Sequence, residues 1–245
     1  MPGKPRRVVL KISGESFAPS KSLGIGSEEL QHIASEIVSA TETGVQVAVV
    51  VGGGNIIRGA VLAESGSIDQ STADYMGMLG TVINGVALKE ALQKNGLQAR
   101  TMSAINLPAV AEPFIKARAN RHLEKQRVVI LVAGTGNPFF TTDTCASLRA
   151  IELGADMLLK ATKVDGIYSA DPVKDSSAVR YDNLSFGEVI EKQLGVMDMT
   201  ALTMCMEHDL PIQVFDYLTP GNIRRAVEGE QLGPIVNSKG IHATT

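Results

Sequence analysis

Val-Gln-Val-Ala-Val-Val-Val-Gly-Gly-Gly-Asn-Ile-Ile-Arg-Gly, residues 45–59, decides the fold. Its valine-rich half reads as a strand buried on both faces, the signature of a parallel sheet. The run ends abruptly in Gly52, Gly53 and Gly54. A turn without Cβ atoms lets backbone N–H groups approach an anion closely. Arg58 follows and adds a fixed positive charge suited to phosphate. For the glycines taken alone, an ordinary strand-to-helix turn is the favoured reading. The stretch is neither a P-loop nor a dinucleotide fingerprint, because G-x-x-x-x-G-K-[ST] is absent and the G-x-G-x-x-G spacing is not met.

Upstream, Arg7–Ser13 reads as a first strand, with Lys11 interrupting an apolar run. Lysine is disfavoured there. It marks either an edge strand facing water or the end of a central strand where an ammonium reaches a ligand. A loop, residues 17–26, leads to a helix from Ser27, the expected N-cap, to about Thr43. Leu30, Ile33, Ala34, Ile37 and Val38 follow helical spacing, and Gly44 occupies the C′ position. The chain therefore opens β–loop–α–β, with its crossover helix covering one face of the sheet.

Downstream, Thr72 to Asn95 reads as a helix containing Gly77, Gly80 and Gly85. Each costs about 1 kcal/mol relative to alanine, so the helix must pack closely on another element or a second subunit. Leu97–Ser103 reads as a strand, and Asn106 to Leu123 as partly helical, broken by Pro108 and Pro113. Arg127–Ala133 is another buried strand and runs into Gly134-Thr-Gly-Asn-Pro-Phe-Phe-Thr-Thr-Asp143. A helix from Thr144 to Leu153 follows, and Asp143 suits its N-cap. The remaining expectations are strands at 157–161, 211–216 and 234–236, and helices at 185–193, 197–208 and 220–227. Residues 238–245 read as a flexible tail.

This alternation predicts a three-layer α/β/α sandwich around a mostly parallel central sheet, one domain over 1–245. An N-terminal lobe spans about 7–155 and a C-terminal lobe about 156–237. Ligands of such sheets sit at the carboxyl ends of the strands. Lys11–Gly14, Gly52–Gly54, Gly134–Asp143 and Lys160–Thr162 all fall at such ends and should converge on one crevice. A net charge of −3 argues against a general nucleic-acid binder. No apolar run is long enough to span a bilayer, and the basic start, Met1 to Arg7, leads straight into a strand pattern. A cytoplasmic protein is the expectation. Cys145 and Cys205 have no metal-like spacing, and no protein metal site is expected.

Two glycine turns, two lysines and an arginine suit phosphoryl transfer, which needs charge neutralisation and an aligned acceptor more than a nucleophilic side chain. The four histidines adjoin no motif and G-x-S-x-G is absent, which disfavours a Ser-His-Asp hydrolase.

The chain resembles the bacterial-type uridylate kinases of the amino acid kinase family. The matching pieces are Leu-Lys-Ile-Ser-Gly-Glu at 10–15, Val-Gly-Gly-Gly-Asn at 51–55 with Arg58-Gly59, and Asp-Tyr-Met-Gly-Met-Leu at 74–79. Ala-Gly-Thr-Gly-Asn-Pro-Phe-Phe-Thr-Thr-Asp at 133–143, Lys-Ala-Thr-Lys-Val-Asp-Gly at 160–166, Asp171-Pro172 and Val196-Met197-Asp198 complete them. The resemblance implies transfer of the ATP γ-phosphate to UMP with Mg²⁺, the N-terminal lobe binding UMP and the C-terminal lobe ATP. It implies that Lys11 and Lys160 stabilise the transferring group and that Asp143 orients them. Lys11, Ile12, Ser13, Gly14, Gly54, Arg58, Thr162, Tyr168 and Asp171 would hold ATP. Gly53, Asp74, Thr135, Gly136, Asn137, Pro138, Phe139, Phe140, Thr141 and Thr142 would hold UMP, with Asp74 on the ribose hydroxyls. Magnesium would bind through substrate phosphates and water. A homohexamer, activation by GTP and inhibition by UTP are further implications. Two departures bear on regulation and oligomer contacts rather than on chemistry. Gln70 stands where many members carry arginine, and the loop Ala18–Gly24 differs from the usual glycine-rich form. The same strand-end groups would also serve a kinase of carboxylates or carbamate, or a non-catalytic oxyanion-binding or nucleotide-binding protein.

Overall fold

The structure, a computed structural model, describes residues 4–20, 22–57, 63–64, 66–164, 166–168 and 178–240. Arg58 and Asp171, both expected at the ATP site, lie outside the described residues.

The first strand, β1 (Arg7–Ile12), is central. It pairs in parallel with β2 (Gln46–Val51) on one side and β6 (Met157–Thr162) on the other. Beyond β2 the sheet continues through β5 (Val128–Val132), β3 (Ala99–Ser103) and the short edge strand β4 (Glu112–Pro113), all parallel. Beyond β6 lie β10 (Ile212–Asp216), β11 (Ile235–Asn237) and β9 (Asn183–Ser185). The only antiparallel pairing in this sheet among the described residues joins β10 to β11. A separate hairpin of β7 (Ile167–Tyr168) and β8 (Arg180–Tyr181) was not foreseen, because two-residue strands carry no period.

Strand alternation divides the core into two layers. Val8, Leu10 and Ile12 of β1 pack on helices α1 (Ser27–Thr41) and α2 (Gln70–Lys94), together with α7 (Asn222–Val227). Val9 and the opposite faces of β2, β5 and β6 pack on α3 (Lys116–Glu124), α4 (Thr142–Leu153), α5 (Phe186–Glu191) and α6 (Met199–Glu207). By the same period, Lys11 shares the face of Val9, and Lys160 shares that of Leu158, so both lysines face the α4 layer.

Several boundaries differ from expectation for identifiable reasons. Gly26, not Ser27, is the N-cap of α1, without a side-chain capping bond. Residues 106–123 are not a broken helix: α3 begins only at Lys116, past both prolines. Pro113, which lacks an N–H, sits in the edge strand β4, where that loss is tolerated. The N-cap of α4 is Thr141, whose hydroxyl accepts from the amides of Asp143 and Thr144 at 3.0 and 3.2 Å. Asp143 lies inside the first turn, and its carboxylate is left for other work. Among the described residues, no helix is long and apolar enough to cross a membrane.

The glycines of α2 find most of their partners within the chain. A Cβ on Gly80 would lie 3.1 Å from the carbonyl oxygen of Gly53, and one on Gly85 would lie 2.3 Å from a methyl of Val132. Gly77 meets nothing within 4 Å and opens toward the site.

Candidate active site

The site begins where β1 and β2 end side by side. Gly52 donates its amide to the carbonyl of Ile12 at 2.9 Å, which draws the two strand ends together. A Cβ on Gly52 would lie 2.5 Å from the amide nitrogen of Gly14, and one on Gly14 would lie 2.5 Å from that of Gly54. Gly53 is packed against α2, 2.6 Å separating its hypothetical Cβ from the carbonyl oxygen of Gly77. Gly54 alone of the triplet faces open space. Backbone contact, rather than a ligand, therefore excludes side chains at Gly52 and Gly53.

Two buried asparagines tie this junction to α2. Asn84 donates to the carbonyl of Gly52 at 2.8 Å and to Asn55 Oδ1 at 2.6 Å. Asn55 donates to the carbonyl of Gly24 at 2.7 Å. Neither role was read from the sequence, although a polar residue inside Val82-Ile83-Asn84-Gly85-Val86 was a visible signal. Thr81 does similar work, accepting from the amide of Ala133 at 2.7 Å and joining α2 to the end of β5.

Lys11 and Lys160 are cross-strand partners in the β1–β6 register. Asp143 reaches down from the first turn of α4 and bridges them. Its Oδ1 lies 3.0 Å from Lys11 Nζ, and its Oδ2 lies 2.8 Å from Lys160 Nζ. All three side chains are largely buried, with 11 to 16% of their surfaces exposed. Burial pushes the Asp143 carboxyl up, but Lys11 and Lys160 outweigh it and hold the group below its ordinary range. Burial lowers the Lys160 ammonium, opposed by Asp143 and reinforced by the neighbouring Lys11 charge. Lys160 also donates to the carbonyl of Val196.

The segment 196–198 makes a second tie. Asp198, the N-cap of α6, accepts hydrogen bonds from the hydroxyls of Thr141 and Thr144. The Thr141 hydroxyl is therefore committed to Asp198 and to the cap of α4. It shapes the loop that leads into α4 rather than offering a free hydroxyl to a ligand.

A cavity of about 250 Å³ adjoins this cluster. Gly53, Gly54, Asp74, Phe140, Thr141 and Thr142 line it, with further walls from α2 and Gly134. Thr135, Gly136, Asn137, Pro138 and Phe139 form the loop beyond it rather than its lining. Gly136 packs on Ala104, its hypothetical Cβ 3.0 Å from that carbonyl oxygen, and Thr135 accepts from the amide of Asn137 at 3.2 Å. Phe139 and Phe140 are 71 and 49% exposed, so neither is a core residue. Ile12 is fully buried, so its side chain is core and only its main chain borders the site. Ser13 shares a hydroxyl contact with Ser16 at 3.0 Å. Thr162, two residues beyond Lys160, donates to the carbonyl of Val164 at 2.5 Å, and Tyr168 lies on the β7–β8 hairpin.

The sequence profile of the amino acid kinase family matches residues 6–216. The structure is similar to that of UMP kinase from Bacillus anthracis, with 40% identity, a TM-score of 0.92, and coverage of 97% of this chain and 99% of that one. UMP kinase from Ureaplasma parvum is 35% identical with a TM-score of 0.89, covering 95% of this chain and 98% of its own. Uridylate kinase from Archaeoglobus fulgidus is 33% identical with a TM-score of 0.72, covering 94 and 99% respectively. With its glycine-lined strand ends, its bridged lysines and these matches along nearly its whole length, the chain belongs to the amino acid kinase family.

Proposed function

We propose that this chain is a UMP kinase, transferring the γ-phosphoryl group of ATP to UMP to give UDP and ADP. One observation carries the reading. Thr141 and Thr142 line the cavity, and the next residue, Asp143, holds the two lysines. In this reading acceptor and donor subsites meet within one turn of α4.

In this reading the N-terminal lobe, 7–155, binds UMP and the C-terminal lobe, 156–237, binds ATP. The lobes join along the β1–β6 pairing, where the lysines stand. Asp74 accepts the ribose hydroxyls, since a carboxylate takes several hydrogen bonds. Gly53, Thr142 and the loop Thr135–Phe140 enclose the rest of UMP. Gly14, Gly54 and Ser13 border the ATP phosphates, and Thr162 and Tyr168 the adenosine. An oxygen of the UMP phosphate attacks the γ-phosphorus, and the bond to the β–γ bridging oxygen breaks. Lys11 and Lys160 neutralise charge on the oxygens of the group in flight. Asp143 holds both ammoniums in place. Its carboxylate is occupied by lysines, and no metal-holding cluster of three or more His, Cys, Asp or Glu exists among the described residues. This donor set fits Mg²⁺ carried on ATP phosphates and water, where it would supply further charge neutralisation.

The product would feed pyrimidine nucleotide synthesis in the cytoplasm. Assembly as a homohexamer, activation by GTP and inhibition by UTP belong to the same proposal. The test is UDP formation from ATP and millimolar UMP, run beside glutamate, aspartate and carbamate as acceptors. UDP is the expected product. Its absence, with an acyl phosphate formed instead, would assign the chain to the carboxylate or carbamate kinases.

A further inference from the structure

Gln70, the departure from arginine noted above, makes a defined side-chain contact. It opens α2, and its Nε2 donates to Asp74 Oδ1 at 2.8 Å, one turn further on. The other oxygen, Oδ2, accepts the backbone N–H of Phe139 at 2.7 Å. Asp74 lines the cavity, whereas Gln70 is exposed and does not. Phe139 has φ +70°, a left-handed conformation that non-glycine residues seldom adopt.

We infer that Gln70 is a positioning residue for the acceptor, acting through Asp74; the inference rests on the UMP kinase reading. With a donor on each oxygen, the carboxylate is fixed between its own helix and the acceptor loop. Without the Gln70 amide, Oδ1 is free to rotate, and the ordering cost moves to the moment of acceptor binding. Because the Gln70 amide is neutral, it orients the carboxylate without cancelling its charge. Its influence should fall on acceptor affinity and ribose recognition. The lysine–aspartate cluster, built on β1, β6 and α4, is untouched.

The test is steady-state kinetics of Q70A, Q70E and Q70R with UMP and dUMP as acceptors and ATP varied. Q70A should raise KM for UMP about fivefold, the effect of one ordinary hydrogen bond, while KM for ATP and kcat stay within about twofold. Preference for UMP over dUMP should narrow in parallel. Q70E should raise KM for UMP further, since it sets a second carboxylate against Asp74. Q70R, which restores a donor, should recover most of the loss. Exposed positions such as this one seldom affect folding by more than about 0.5 kcal/mol, and a melting curve for each variant checks that. If the parent protein makes UDP but Q70A and Q70E keep its KM for UMP, this inference alone is overturned. If the parent makes no UDP, both readings are.

Discussion

Asp143 holds one negative charge between two ammoniums in a site nearly closed to water. Removing one partner of a buried ion pair leaves the others uncompensated, at a cost of about 3–5 kcal/mol. The D143N variant keeps the shape and leaves Lys11 and Lys160 facing each other across the β1–β6 register. Urea unfolding at pH 7 should show it about 3 kcal/mol less stable than the parent. Turnover should fall by about 10²–10³, because the lysines lose their common anchor. The pH dependence has a definite sign. Lys11 and Lys160 hold Asp143 below its ordinary value of 3.8. Its contribution is therefore complete above that pH and is lost as pH falls through the folded-state value. The stability gap between parent and D143N should close in strong acid; a gap constant with pH would contradict the assignment. At this scale the sequence was legible by residue type and less so by role. Lysines at strand ends announced a charged crevice. A helix-opening aspartate reads either as a cap or as the group that orients the lysines, and the structure decides between them by giving the cap to Thr141.

The glycine turn after β2 was equally visible, but its parts do different work. Gly52 and Gly53 are fixed by contact with Gly14 and α2, whereas Gly54 borders open space. Alanine at each should separate these roles. A Cβ at Gly53 would sit 2.6 Å from the carbonyl oxygen of Gly77 and 2.8 Å from the amide nitrogen of Thr81. Thermal and urea melts of G53A should show a loss of about 1–3 kcal/mol, the usual cost of overpacking. G54A should unfold like the parent and lose turnover, because its methyl enters the space assigned to phosphate. Equal melting curves for the two variants would contradict the division. Such distinctions escape a sequence because they depend on which element lies across from each glycine. The same limit explains residues 106–123, where helical residue types were plain but the edge of β3 captured Glu112 and Pro113 as a strand.

Across the whole molecule, strand alternation, crossover helices and the strand-end crevice followed from local patterns. Strand order did not, because the sequence does not state which strand each crossover returns to. The helix α2 was already a candidate for contact with a second subunit, since its glycines call for close packing. Its inner side is occupied by Gly80 and Gly85 packed on the chain itself. On its outer side Tyr75, Leu79, Ile83 and Val86 recur at spacings of four, four and three, each exposed by 39 to 49%. A helix apolar on both sides is normally buried on both, and an apolar stripe of this kind marks a contact surface. The proposed homohexamer supplies a second copy of α2 to cover it. Sedimentation at micromolar concentration should then give an assembly larger than a monomer. Ile83→Glu places a carboxylate in the middle of the stripe without touching the core, so folding should survive while association weakens about tenfold or more. A monomeric parent, or an I83E variant that assembles as the parent does, would remove α2 from the subunit contact.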